Sequence, residues 1–177
     1  MAGRPSLDRR AVHEELERAR VEFHSLLDAA DKTALNRPTR GTRWNNEQLL
    51  FHILFGYMVV RALLVLARIF GRLPQGVGTA FARLLGTTTK PFDVINYLGP
   101  CAAIHIYGHR RMGAKCDRVI AALHRSLDAE TEADLGRGMH YPVRWDPFFT
   151  DFMTLADLYR YPTQHFFFHR LQLTLAP

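Results

Sequence analysis

Apolar and polar positions recur along this chain with a helical period, and they divide it into four long segments. From Asp8 to Ala30 the apolar set is Val12, Leu16, Ala19, Phe23, Leu26, Leu27 and Ala30, while Glu14, Glu15, Glu17 and Arg18 mostly fall outside it. This predicts a first helix, with residues 1–7 a disordered start and His13 and His24 solvated at the edge of the stripe. Asn36 to Arg43 is turn-rich. The run Trp44-Asn45-Asn46-Glu47-Gln48-Leu49 then reads as a helix start: Asn45 as N-cap, Gln48 as its capping-box partner, and Trp44 stapling onto Leu49. The second helix runs to about Phe70. Gly56, Val59, Val60, Leu63, Leu66, Ala67 and Phe70 share the side of His52, and Arg61 and Arg68 lie opposite, so His52 points inward.

Residues 71–99 form a long connection with a short helix expected near Thr79–Leu85. A third helix is expected from near Pro100 to Asp128, with an inner stripe of His105, His109, Met112, Cys116, Val119, Ile120, Leu123 and Leu127. On it Arg110, Arg111, Arg118 and Arg125 face outward. After an irregular stretch from Glu130 to Phe149, Thr154 with Asp157 caps the last helix, Met153 staples onto Leu158, and Pro162 kinks or restarts the helix. The expected fold is all-α. It is one domain over 1–177, a four-helix bundle running up-down-down-up with a long crossover between helices two and three.

Composition narrows the function classes. At 177 residues and 47% hydrophobic content the chain can build a single core. The net charge of +6 is carried by 20 Arg and 3 Lys scattered along the chain, which does not form the basic stripe of a nucleic-acid binder. Leu49 to Phe70 is apolar over a membrane-spanning length, but Arg61 near its midpoint would be costly in lipid, so it reads as a buried bundle helix. Cys101 and Cys116 would lie about 22 Å apart on one helix and cannot pair. With no leader-like stretch at the start, a reducing cytoplasm is the expected location.

The chemistry concentrates in Tyr161 to Leu175. His165 and His169 are one turn apart and Gln172 follows, all three within roughly 60° on a helix. Phe166, Phe168 and Leu173 flank that polar strip, Thr163, Arg170 and Thr174 lie opposite, and Phe167 faces outward as a candidate interface residue. Burying two imidazoles and a carboxamide is costly unless each is partnered. In the expected bundle His52, His105, His109, His165 and His169 all fall about 8–15 Å from one end. Three imidazoles can hold a divalent transition ion and leave a position open. The alternative is that they are hydrogen-bonded core residues, which is the favoured reading for His105 and His109. No H-E-x-x-H, C-x-x-C or G-x-S-x-G motif competes, and no acidic residue on the inner stripes suggests a carboxylate-bridged di-iron site.

Trp44 ahead of a helix carrying His52, followed by His165-x-x-x-His169-x-x-Gln172, resembles the DinB family over about residues 8–175. The resemblance implies an up-down-down-up bundle, homodimers, and a divalent metal, zinc or nickel foremost, on His52, His165 and His169. It further implies a thiol S-transferase or hydrolase-type activity drawing on a low-molecular-weight thiol and a small electrophile. Gln172 would orient His169 or a bound water, and His109 would be a proton acceptor. The competing expectation is a non-catalytic dimeric bundle in which the metal is structural or absent. The His105/His109 pair departs from the family pattern.

Overall fold

Side-chain caps set where the helices begin. Asp8 accepts the Ala11 amide at 3.0 Å to start α1 (Arg9–Asp28), and Asp31 starts the short α2 (Lys32–Asn36). Asn45 and Gln48 close a reciprocal capping box at the head of α3 (Asn46–Phe70), with bonds of 2.9 and 3.0 Å. Thr154 and Asp157 do the same for α7 (Leu155–Arg170). The computed structural model describes residues 7–87 and 89–175, apart from the side chains of residues 75, 89–93, 109 and 110. Over these the chain is mostly helical, with α4 (Gln75–Thr87), α5 (Thr89–Asp128) and α6 (Glu132–Leu135) between α3 and α7.

The long helices form one ring of contacts: α3 packs on α5 and α7, and α1 packs on the same two. Leu16, Phe23, Leu50, Ile53, Leu64, Met112, Ile120, Tyr159 and Phe166 are fully buried between them. Each such side chain contributes about 1.5–3 kcal/mol by leaving water. The apolar stretch of α3 is long enough to cross a membrane by length and composition, and 61% of that window is buried within the fold.

Several expectations are corrected. Leu7, expected in a disordered start, is buried in the core, while residues 1–6 lie outside the described residues. Helix three begins at Thr89 rather than near Pro100, and it is broken at Gly108, whose φ of 58° and ψ of 156° are not helical. That conformation suits a residue without Cβ. The stretch from Glu130 to Phe149 is not wholly irregular: it carries α6 and β1 (Gly138–His140), which pairs antiparallel with β2 (Phe152–Thr154). An all-α expectation misses this hairpin because three-residue strands leave almost no periodicity to read. α7 runs through Pro162 without restarting.

Two faces also differ. Arg68 does not face solvent: its Nε reaches the buried Glu130 carboxylate at 2.9 Å and its Nη2 reaches Ser126 Oγ at 2.6 Å. A carboxylate from a distant segment draws it inward, which helix phase alone does not reveal. On α7, Thr163 is buried and Phe168 is exposed, the reverse of the expected faces. Phe167 is half-buried under the Arg18 guanidinium, 5.2 Å from its ring centroid, because α1 covers that side.

Candidate metal centre

α3 and α7 lie side by side, and their packing brings three imidazoles together. His52 Nε2 lies 3.2 Å from His165 Nε2 and 3.3 Å from His169 Nε2. His52 and His165 are buried and His169 is half-buried. Among the described residues, these three form the group of potential ligand atoms lying within 4.8 Å of one another. An imidazole nitrogen has one in-plane site, either a proton or a lone pair. His52 Nε2 therefore cannot satisfy both of its neighbours by hydrogen bonding. A cation accepts all three lone pairs at once. Three nitrogens at 2.0–2.1 Å from a tetrahedral ion would lie about 3.3–3.4 Å apart, close to the spacing seen here.

Electrostatics favour neutral rings. Burial, and then the charge of His169, push His52 down to about 3. Burial followed by its two imidazole neighbours holds His165 well below the usual histidine range. Burial also lowers His169, against the opposing pull of Gln172 and Asp146. Neutral imidazole is the form that binds a metal.

Each ring is held by a different device. His169 Nδ1 donates to Gln172 Oε1 at 2.7 Å, which fixes the tautomer and leaves Nε2 as a lone pair toward the cluster. Gln172 is itself anchored, because its carbonyl accepts the Arg40 amide at 2.8 Å. Buried Asn46 ties down the following residues by accepting the Thr174 amide at 2.9 Å. His52 is stacked on Trp44, whose Nε1 donates to the Tyr97 carbonyl at 3.3 Å. His165 packs against Gly56, where a Cβ would come within 2.8 Å of Nδ1. Gly56 thus makes room for the ring of another helix, not for that of His52. The Nδ1 atoms of His52 and His165 are buried without a hydrogen-bond partner.

His105 stands apart from them. His105 is exposed on α5, on the far side of the break at Gly108. The break resets the helix phase, so the buried stripe beginning at Met112 does not continue back to His105. The side chain of His109 lies outside the described residues. Cys101 and Cys116 are both free, and burial pushes the Cys116 thiol up to about 12.

Two neighbouring residues escaped the sequence reading. Asp146 Oδ2 lies 3.6 Å from His165 Nε2 and accepts the Tyr161 hydroxyl at 2.9 Å. Burial raises the Asp146 carboxyl above its ordinary range, against hydrogen bonds from the Phe148 amide and Tyr161 that lower it. Burial, with Asp146 beside it, keeps the Tyr161 hydroxyl protonated and so a donor. Tyr161 could have been found, since it stands one turn before His165 on the same face. Asp146 sits in a loop with no periodic signal.

No curated protein and no solved structure matches the chain. A family model described as the DinB superfamily matches residues 15–173, and the chain, with its tryptophan-backed histidine on α3 and its paired histidines on α7, belongs to that superfamily.

Proposed function

We propose that the protein binds one divalent transition ion, zinc or nickel, through His52, His165 and His169. We further propose that it works as a thiol S-transferase, or a hydrolase-type enzyme, on a small electrophile. The observation that carries the reading is the convergence of three imidazole Nε2 atoms, with His52 Nε2 3.2 and 3.3 Å from the other two, which hydrogen bonding among them cannot satisfy. Bound there, such an ion supplies Lewis acidity and lowers the pKa of a thiol or water. The chain's own residues orient the ligands and shape the approach. Gln172 sets the His169 tautomer, Trp44 fixes the plane of His52, and Gly56 admits His165. Phe55, Val59, Trp145 and Phe149 wall the space beside His52 and His165. The excess of arginine gives the protein a field that favours an anionic thiol cofactor in a reducing cytoplasm. The four long helices are read as the up-down-down-up bundle of the family.

The test is metal content of protein purified without a histidine tag, followed by thiol-dependent turnover of an electrophile. The reading expects about one ion per chain and turnover lost in His52→Ala. Protein that takes up no zinc or nickel and shows no thermal shift with either would refute it.

A second reading, a non-catalytic bundle that mainly dimerises, is favoured by the exposed apolar side chains Leu84, Val94, Ile95, Leu98 and Ile106 on α4 and the first part of α5. Full metal loading with no thiol-dependent turnover, together with a dimer by light scattering that Ile95→Glu dissociates, would select it.

A further inference from the structure

The three-histidine reading leaves one buried anion without a task. Asp146 is only 12% exposed, and its carboxylate is held from two sides. Oδ1 accepts the Phe148 amide at 2.9 Å, and Oδ2 accepts the Tyr161 hydroxyl at 2.9 Å. Tyr161 belongs to the same helix as His165, and their rings lie 5.7 Å apart, so one stretch of α7 positions both the imidazole and the carboxylate. Asp146 is not within the mutual ligand spacing of the three histidines, so it stands beside the ligand set and not in it.

Asp146, His52, His165 and Tyr161 share the lining of one cavity of about 20 Å³. A single water requires about 10–15 Å³ on this measure, so the cavity has room for a water-sized group. Its polar lining on that side is the Asp146 carboxylate, beside the side chains of Asn96 and Trp145. A carboxylate offers about four lone-pair sites, and two are taken by Phe148 and Tyr161. The others remain for a donor in the cavity. A small anion there would face the carboxylate with no proton to offer it.

We propose that this cavity is the subsite for the reacting small group of the centre. In this subsite the Asp146 carboxylate, positioned by Tyr161 and the Phe148 amide, accepts the hydrogen of a neutral O–H or S–H ligand and disfavours anions. The proposal rests on the metal reading above and adds the ligand class: a water, or the head of a thiol entering protonated. Asp146 takes up that hydrogen bond, and Tyr161 is a positioning residue acting through it.

The experiment uses the full chain loaded with Co²⁺, whose visible absorption reports the ligand field, and titrates it with azide as a small anionic probe. Wild type, Asp146→Asn and Tyr161→Phe are compared, with helicity by circular dichroism as the folding control. The Asn variant keeps the shape, removes the charge, and turns one acceptor into a donor. Azide is expected to change the spectrum of Asp146→Asn at a concentration roughly tenfold or more below that for wild type, because the like charge is gone. Tyr161→Phe, which deletes one hydroxyl, is expected to fall between them, and it carries the comparison alone should the Asn variant fail to fold. Cobalt uptake with superimposable azide titrations would overturn the subsite while leaving the metal reading intact. Failure of the wild-type chain to take up cobalt, zinc and nickel alike would overturn both.

Discussion

His13, His24 and His124 lie half-buried along the seam between α1 and α5, whereas His52, His165 and His169 lie between α3 and α7. Both groups bring imidazoles into contact: His13 and His124 stack at 4.8 Å between ring centroids, and His52 and His165 meet at 4.9 Å with their rings tilted by 54°. The difference is in the partners. On the seam every ring reaches a carboxylate: His13 meets Asp128 at 2.9 Å, His124 meets Glu17 at 2.9 Å, and His24 meets Asp117 at 2.8 Å. Between α3 and α7 the nearest carboxylate oxygen to a ring nitrogen is that of Asp146, at 3.6 Å from His165. Each seam ring therefore has a partner within the chain. In the α3–α7 cluster burial favours neutral rings, and the three converging nitrogens could hold a metal ion. Histidines in contact are not by themselves a metal site; the anions around them decide.

The largest effect that would break this contrast is on metal-linked stability. At free zinc or nickel near 100 times Kd, binding adds about 2.7 kcal/mol, or roughly 5–10 °C in Tm for a chain of this size. Differential scanning fluorimetry should show that shift in wild type and in His124→Ala, and should lose it in His52→Ala and His165→Ala. A shift that survives in His52→Ala would place the ion elsewhere.

Next come residues that touch no ion. Gly56→Ala puts a methyl group into the buried His165 ring, and such overpacking costs about 1–3 kcal/mol, or roughly 5- to 150-fold in metal affinity. Gln172→Ala removes the acceptor of His169 Nδ1 and should weaken binding about 10- to 100-fold. Chelator competition measures both. Equal affinity in Gln172→Ala would mean that the tautomer is set by other means.

The pH dependence of the metal-free protein separates the two groups further. His52 falls to about 3 in the folded state, below an unfolded value of about 6.5, so protons bind the unfolded chain more readily. Its contribution is complete above about pH 6.5 and is lost as pH drops toward 3. On the seam, burial raises Glu17 and Asp117, but hydrogen bonds from His124, His24 and Arg20 together hold both below their ordinary values near 4.5 and 3.8. That stabilisation is lost only at lower pH, as the carboxylates protonate. Urea midpoints from pH 7 to 4 should fall in wild type, and His52→Gln should blunt the fall while Asp117→Asn leaves it in place. The smallest effect is the seam itself at neutral pH: His124→Ala should cost within about 1 kcal/mol, as partly exposed ion pairs do.

Much of the fold was legible in the residues because the rules involved are short-range. Asn45 with Gln48 and Thr154 with Asp157 each span three residues, and both helix starts stand where those pairs place them. The inward side of His52 follows from a stripe of aliphatics four turns long. Helix three was misread at its start because Gly99 and Pro100 resemble a boundary, yet Pro100 lies inside α5 and the break comes at Gly108. The stripe therefore loses its phase between Met112 and His105.

What the sequence alone determined is the set of chemically matched residues and their local geometry. His165 and His169 share one helix face with Gln172 in the turn just beyond α7, Trp44 stands before the helix of His52, and the caps fix where both helices begin. Those follow from backbone periodicity, which acts over a few residues at a time. Only the tertiary structure decided which of the nine histidines meet, since that depends on how α3 lies against α7 and on the phase lost at Gly108. It also decided that Asp146, carried on a loop between β1 and β2, arrives beside His165. A loop's path is set by the elements it joins, so no pattern within the loop announces its destination.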